Sequence, residues 1–282
     1  MIKLTNVKKN YDGFSLDVTM ELKAGRVTGM VGKNGAGKST TFKIILGLIQ
    51  PDEGTATVFE KEAGMLTTAE KKRIGVALAE SGFSSYFCVR DIVSIMKNMY
   101  ENFNEKEFLE QCNRFELPMN KRINQYSTGM KAKLKVLIAM SHQADLLVLD
   151  EPTSGLDIVA RNDILELLRE YMGQDENRSI LISSHISSDL ETLCDDLYFI
   201  NQGKIVLHED TDVLLDYGVM KVGEKEYEQL DKRYIMNVKK EKYGYRCLTR
   251  EKQFYMENYP GIVIEKGNID DVMMLMIGGE KA

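Results

Sequence analysis

The 282-residue chain contains no tryptophan, four prolines, four cysteines and three histidines. Cys88, Cys112, Cys194 and Cys247 share no C-x-x-C spacing, so neither a disulfide framework nor a zinc site is indicated, and reduced thiols are expected. His142, His185 and His208 are too few and too separated to suggest a metal cluster. No apolar run approaches the roughly 20 residues that span a bilayer. Met1-Ile2-Lys3-Leu4-Thr5-Asn6 lacks a secretion-signal pattern, and the expectation is a soluble, cytosolic protein. Basic residues do not predominate. Lys and Arg number 37 against 43 Asp and Glu, a formal net charge of −6, which argues against a general nucleic-acid binder. No repeat or low-complexity tract is evident. The 43% hydrophobic content supports a sizeable core, as one large domain or one domain with an appendage.

Against that background one stretch stands out. Gly32-Lys33-Asn34-Gly35-Ala36-Gly37-Lys38-Ser39 fits the phosphate-loop pattern G-x-x-x-x-G-K-[ST] at every position. Its glycines allow the backbone to form a nest of N–H donors around phosphate oxygens. The helix opening at Lys38, Ser39 and Thr40 aims its positive end at the same charge. Lys38 is expected to reach the β- and γ-phosphates, and the Ser39 hydroxyl to ligate Mg²⁺. A mostly apolar run of strand length, Arg26–Val31, precedes the loop, and a helical pattern, Thr40–Leu48, follows it.

The remaining periodicities predict an α/β chain. Residues 1–31 read as short strands with turns at 10–13 and 23–25, and Thr55–Phe59 as another strand. Residues 85–144 read as a helical insertion, with helices at Val89–Tyr100, from Asn104 to about Phe115, and from about Gly129 to Ser141. Strand and helix then alternate through Leu146–Leu149, Val159–Met172 and Ser179–Ser183, ahead of a hairpin around Asn201-Gln202-Gly203. From Gly218 the texture changes. Charged helical stretches (Glu224–Leu230, Thr249–Tyr259) alternate with β-rich ones (Tyr234–Val238, Gly261–Glu265), before a last helix over Asn268–Ile277. This predicts a small α+β appendage at 218–282. Met273, Met274 and Met276 fit either a plastic binding surface or plain core packing.

The apolar strand Leu146–Leu149 ends in two carboxylates. Asp150 is suited to Mg²⁺ coordination and Glu151 to polarising an attacking water. Pro152-Thr153-Ser154-Gly155-Leu156-Asp157 follows them. Tyr126-Ser127-Thr128-Gly129-Met130 precedes them, and Ile180-Leu181-Ile182-Ser183-Ser184-His185 comes later.

With these segments, in this order over about residues 1–217, the chain resembles the ATP-binding subunits of ABC transporters. The resemblance implies a P-loop NTPase core with an antiparallel β subdomain and a helical insertion. It also implies an ATPase that uses ATP and Mg²⁺. Tyr11 matches the aromatic residue that stacks on adenine. Ser127 and Gly129 match the signature L-S-G-G-Q in part, and they equally read as an ordinary helix cap. His185 resembles the switch histidine at the γ-phosphate. Asp157 resembles the acid that couples two ATP sites, and it also suits a helix N-cap. The family's glutamine after the strand Ile74–Leu78 is missing. Ala79 stands in its place, and Glu80 is the nearest residue able to bind the metal, with water as the alternative. The altered loop, the Ser-Thr-Gly-Met-Lys signature and the tail look like the subtype serving ABC-2-type permeases, which includes exporters.

The resemblance further implies a head-to-tail pair, homodimer or heterodimer, with each Ser127 and Gly129 facing the other chain's Lys38. A membrane-embedded permease, gripped through the helical insertion, would place the chain on the inner face of the cell membrane. The alternative is an ABC-type ATPase that acts without a permease, in translation or on DNA. A single phosphate loop, no long coiled coil and the acidic balance disfavour it.

Overall fold

Strict alternation shapes the first hairpin. In Phe14–Leu22 the side chains of Leu16, Val18, Met20 and Leu22 are buried while Ser15, Asp17, Thr19 and Glu21 face solvent. The computed structural model describes residues 1–79 and 82–281. In chain order it begins with strands β1 (Ile2–Tyr11), β2 (Phe14–Leu22) and β3 (Val27–Val31), helix α1 (Lys38–Ile45), and strands β4 (Glu53–Val58) and β5 (Lys61–Glu62). Helix α2 (Thr68–Lys71) and strand β6 (Ile74–Ala77) lead to three helices, α3 (Val89–Met99), α4 (Glu105–Arg114) and α5 (Thr128–Met140). Next come β7 (Leu146–Asp150), α6 (Ile158–Met172), β8 (Ser179–Ser184), α7 (Ser187–Leu193), β9 (Asp196–Asn201), β10 (Lys204–Asp210) and α8 (Thr211–Asp216). The chain closes with β11 (Gly218–Val222), α9 (Glu224–Gln229), β12 (Ile235–Glu241), β13 (Gly244–Thr249), α10 (Lys252–Asn258), β14 (Val263–Lys266), α11 (Ile269–Gly278) and β15 (Glu280–Lys281).

A ten-stranded sheet runs in the order β5-β4-β1-β2-β10-β9-β3-β8-β7-β6. Its β9-β3-β8-β7-β6 half is parallel, and its β5-β4-β1-β2 end is antiparallel. The central strands β3, β7 and β8 are buried along their whole length, as expected of strands covered on both faces. Alternation along them divides two cores. Leu147, Leu149, Ile180 and Ile182 face the cluster shared with the helical insertion, while Leu146, Val148 and Leu181 face the one shared with β1, β2 and α1. Each such side chain contributes up to about 1.5–3 kcal/mol of burial free energy. The three insertion helices lie close to their expected spans, and Asn104 caps α4 by accepting the Glu107 N–H at 3.2 Å.

The second sheet, β14-β11-β13-β12-β15, is antiparallel, and it departs from expectation in two places. Strands β11 and β13 stand where only a change of texture was legible. Thr249, expected in a helix, ends β13 instead. It pairs with Gly218 and Ile235 on either side, and its hydroxyl donates to the Tyr234 carbonyl at 2.7 Å. The helix begins at Lys252. Met220, Val222, Ile235, Cys247 and Tyr255 form a local core for this sheet. Tyr217, Val219, Leu248, Ile269, Val272 and Leu275 instead join the large cluster beneath β3, β7 and β8. Met273 and Met276 pack against that same cluster, as core packing requires, and Met274 is half-buried. No helix among the described residues is long and apolar enough to cross a membrane.

Candidate functional site

Three parallel strands and one helix deliver the phosphate-loop chemistry to one place. The loop leaves the C-terminal end of β3, and Gly37, at φ +116°, caps α1. Gly35 also has a left-handed backbone, at φ +79°. At Gly32 a Cβ would meet the Ile200 carbonyl oxygen at 2.4 Å, so β9 closes the space behind the loop. Ala36 is buried, Asn34 is exposed, and Thr40, on the first turn of α1, is half-exposed.

The Lys38 side chain is 6% exposed and donates from Nζ to the Gly32 carbonyl at 2.6 Å. Ser39 Oγ donates to Asp150 Oδ2 at 2.7 Å, joining the loop to the end of β7. Ser183 Oγ donates to the other oxygen, Asp150 Oδ1, at 2.6 Å. Next along the chain, Glu151 sits at φ +51°, a left-handed conformation uncommon outside glycine. Its N–H is held by Ser183, through the hydroxyl at 3.0 Å and the carbonyl at 3.2 Å. That turn aims the carboxylate back into the pocket. Oε2 accepts the His185 N–H at 3.1 Å and lies 2.5 Å from His185 Nδ1. Oε1 is buried and lies 3.2 Å from Lys38 Nζ, an ion pair with the ammonium that also donates to the Gly32 carbonyl, and it accepts no hydrogen bond among the described residues.

Lys38, Ser39, Asp150, Glu151 and His185 therefore form one cluster. Ser183, to which the sequence reading gave no role, is at its centre. The available signal was a fully buried strand that changes from Ile-Leu-Ile to two serines just before the histidine. Asp150 and Ser39 offer adjacent oxygen donors, the donor type that suits Mg²⁺. Glu80, also named as a metal ligand, lies outside the described residues. Ala79 is described, and its carbonyl, with that of Leu78, accepts from Lys135 Nζ at 3.1 and 2.9 Å. Burial lowers the Lys135 pKa from its ordinary value.

Tyr11 stands at the end of β1, 44% exposed, with its ring 6.3 Å from that of Phe14. Phe14 in turn lies 3.2 Å from where a Cβ of Gly37 would be, so Tyr11 flanks the loop through one intervening ring.

The second set of residues lies in a separate groove. Ser127 caps α5 by accepting the Met130 N–H at 3.2 Å, and Asp157 caps α6 by accepting the Ala160 N–H at 2.8 Å. Gly129 lets the two helix starts approach, since a Cβ there would come 3.3 Å from that of Ala160. Ser127, Gly129, Lys133, Gly155 and Asp157 line an open groove of about 430 Å³ that does not include Lys38. Tyr126 anchors the cap from beneath. Its hydroxyl donates to the Pro118 carbonyl at 2.5 Å, and burial pushes its pKa up to about 12.

This combination of cradle, acids and second groove is matched by known proteins. A family model described as ABC transporter covers residues 16–154. The ABC transporter ATP-binding protein YtrB of Bacillus subtilis (strain 168) is 31% identical over 216 residues, 76% of this chain and 73% of that one. The lantibiotic transport ATP-binding protein SrtF of Streptococcus pyogenes is 33% identical over 216 residues, 75% of this chain and 92% of that one. Among solved structures, the dimeric bacterial ABC transporter cassette MJ0796 shares the fold with a TM-score of 0.65 at 22% identity, over 75% of this chain and 99% of that one. The chain belongs to the ABC transporter family, as an ATP-binding subunit that hydrolyses ATP.

Proposed function

We propose that two cassettes close head to tail around ATP, and that the cycle of closing and opening drives a separate membrane permease in the direction of export. One observation carries the pairing. The Ser127 cap is exposed at a groove apart from Lys38, and beside it Ile158 and Val159 leave apolar side chains 67% and 71% exposed just after Asp157. A helix N-terminus suits an anion, and exposed apolar residues beside it suit a protein face. A second cassette supplies both, bringing its own γ-phosphate to Ser127 and Gly129. The dimeric cassette of like fold and the lantibiotic-transport relative support this reading.

Within each cassette the loop amides, Lys38 and His185 hold the triphosphate, and Tyr11 stacks on the base. Ser39 and Asp150 would hold Mg²⁺, which when bound would neutralise charge developing on the phosphates. Glu151 orients the attacking water, and Oε1, which accepts no hydrogen bond among the described residues, is the acceptor such a water would use. Asp157 couples the two halves while capping α6. Residues 1–217 form the motor and 218–282 an accessory domain. The permease grips the helical insertion and holds the chain at the inner face of the cell membrane.

Light scattering of the Glu151→Gln protein tests the pairing. ATP and Mg²⁺ are expected to convert monomer to dimer, and Val159→Lys to abolish that conversion. A monomer at every protein concentration overturns self-pairing. Wild-type ATP turnover by Glu151→Gln overturns the role given to Glu151, whose loss is expected to slow hydrolysis by about a hundredfold or more.

A further inference from the structure

Helix α7 begins two residues after His185 and is tied on both sides. Toward the ATPase core, Asp189 is 2% exposed, accepts the Thr153 hydroxyl at 2.7 Å and lies 3.5 Å from Arg161 Nε. Thr153 is itself fully buried, two residues after Glu151. Toward the C-terminal sheet, the Ser187 hydroxyl donates to Asp270 Oδ2 at 2.7 Å, and Glu191 Oε1 accepts the Ile269 N–H at 2.9 Å. Both of these partners lie in the first turn of α11. Beneath the polar contacts Leu190 is buried in the same apolar cluster as Ile269 and Val272. Helix α11 is locked to its own sheet by Asp271, whose Oδ1 accepts from Arg246 at 2.7 Å.

A seven-residue helix has almost no stability of its own, so its position is set by what it touches. His185 sits at the joint between the rigid strand β8 and this helix. Its contact with Glu151 tolerates shifts of only a few tenths of an ångström before the hydrogen bond weakens. A tail held merely for cohesion would need only the apolar contact. Of the two polar contacts, that of Glu191 falls at the fifth residue of α7 and that of Ser187 at the first, the end nearest the histidine.

We infer that the C-terminal appendage positions the hydrolytic site: Asp270, through Ser187, holds α7 so that His185 stays on Glu151. This rests on the roles given above to His185 and Glu151. Asp270 is a positioning residue and touches neither nucleotide nor water.

Steady-state ATPase kinetics and thermal unfolding of the full chain test it, with Asp270→Ala, Asp270→Asn, Ser187→Ala and, alongside, His185→Ala. Asp270→Ala and Ser187→Ala should each lower kcat about tenfold, the scale of misplacing a group by part of an ångström. KM for ATP should stay within about twofold of wild type, which separates a transition-state effect from lost binding. Asp270→Asn keeps an acceptor oxygen for Ser187 and should restore most of kcat. Wild-type kcat in both Asp270→Ala and Ser187→Ala, with His185→Ala slow, overturns the inference and leaves the site reading standing. A wild-type rate in His185→Ala overturns the site reading, and the inference falls with it. A kcat loss that tracks a lowered unfolding midpoint, unrelieved by Asp270→Asn, makes the contact a structural one and also overturns the inference.

Discussion

Lys38 Nζ stands 3.2 Å from Glu151 Oε1, with the two side chains 6% and 18% exposed. The lysine proposed to hold the γ-phosphate is thus shared with an acid that the incoming phosphate must displace or tolerate. Removing the acid's charge frees Lys38 for the nucleotide. Glu151→Gln should therefore bind ATP more tightly even as it stops turning over. An ion pair worth about 1 kcal/mol corresponds to roughly fivefold in Kd. Titration with a fluorescent ATP analogue checks this, and unchanged or weaker binding would show that the pair does not compete with phosphate.

Ser183 holds two neighbours in place at once, Asp150 through Oδ1 and Glu151 through its N–H. The Asp150 bond is buried, so Ser183→Ala leaves a buried carboxylate oxygen short of a partner, while the Glu151 N–H keeps the Ser183 carbonyl. Leaving a buried polar group unsatisfied costs about 1–3 kcal/mol, and urea unfolding should register a loss of that size. Asp150 would also be less firmly aimed, so half-maximal ATPase activity should require more Mg²⁺. Unchanged stability and Mg²⁺ dependence would make Ser183 a bystander.

Gly37 and Gly35 separate two reasons for glycine. Both lie at positive φ, where an added Cβ costs roughly 1–2 kcal/mol. At Gly35 nothing among the described residues lies within 4 Å of that Cβ, whereas at Gly37 it would meet Leu16 Cδ1 at 2.8 Å as well as Ile200 and Phe14. Gly37→Ala should therefore lower the thermal midpoint more than Gly35→Ala does. It should also push α1 off the sheet enough to weaken ATP binding. Equal midpoints for the two variants would mean that the β2 side chains yield freely.

These glycines were legible before any fold because the phosphate-loop pattern fixes residue type and spacing together. The same holds for Asp150 and Glu151, placed by an apolar strand that ends beside the loop, whereas His185 takes its role only from the resemblance to the family. What could not be read depends on partners distant in sequence. Ser187–Leu193 is too short to show a helical period, and Asp189 reads as a solvated acid until Thr153 and Arg161 are found beside it. Thr249 follows the same logic. Nothing local in Cys247-Leu248-Thr249-Arg250 distinguishes strand from helix, and the pairing with Gly218 decides it.

His142 carries the final prediction, one of pH dependence. Its ring stacks on Tyr100 with centroids 4.1 Å apart, it is 4% exposed, and its Nδ1 has no hydrogen-bond partner among the described residues. Burial lowers its pKa from the ordinary 6.5, outweighing the backbone carbonyls of Ile74 and Ile138, which pull the other way. Above the ordinary value neither the folded nor the unfolded chain carries the proton, and the stability contribution is whole. As pH falls below it the unfolded chain takes up a proton that the fold resists. Stability is then lost progressively until the folded pKa is passed. His142→Phe keeps a ring against Tyr100 and removes the titration. Urea unfolding at about pH 7.5 and about pH 5.5 should show a smaller acid loss in the variant, by at most about 1.4 kcal/mol per pH unit below the ordinary value. Equal acid losses in the two proteins would mean that His142 accepts its proton inside the fold, with the stacked ring opening to let water reach Nδ1.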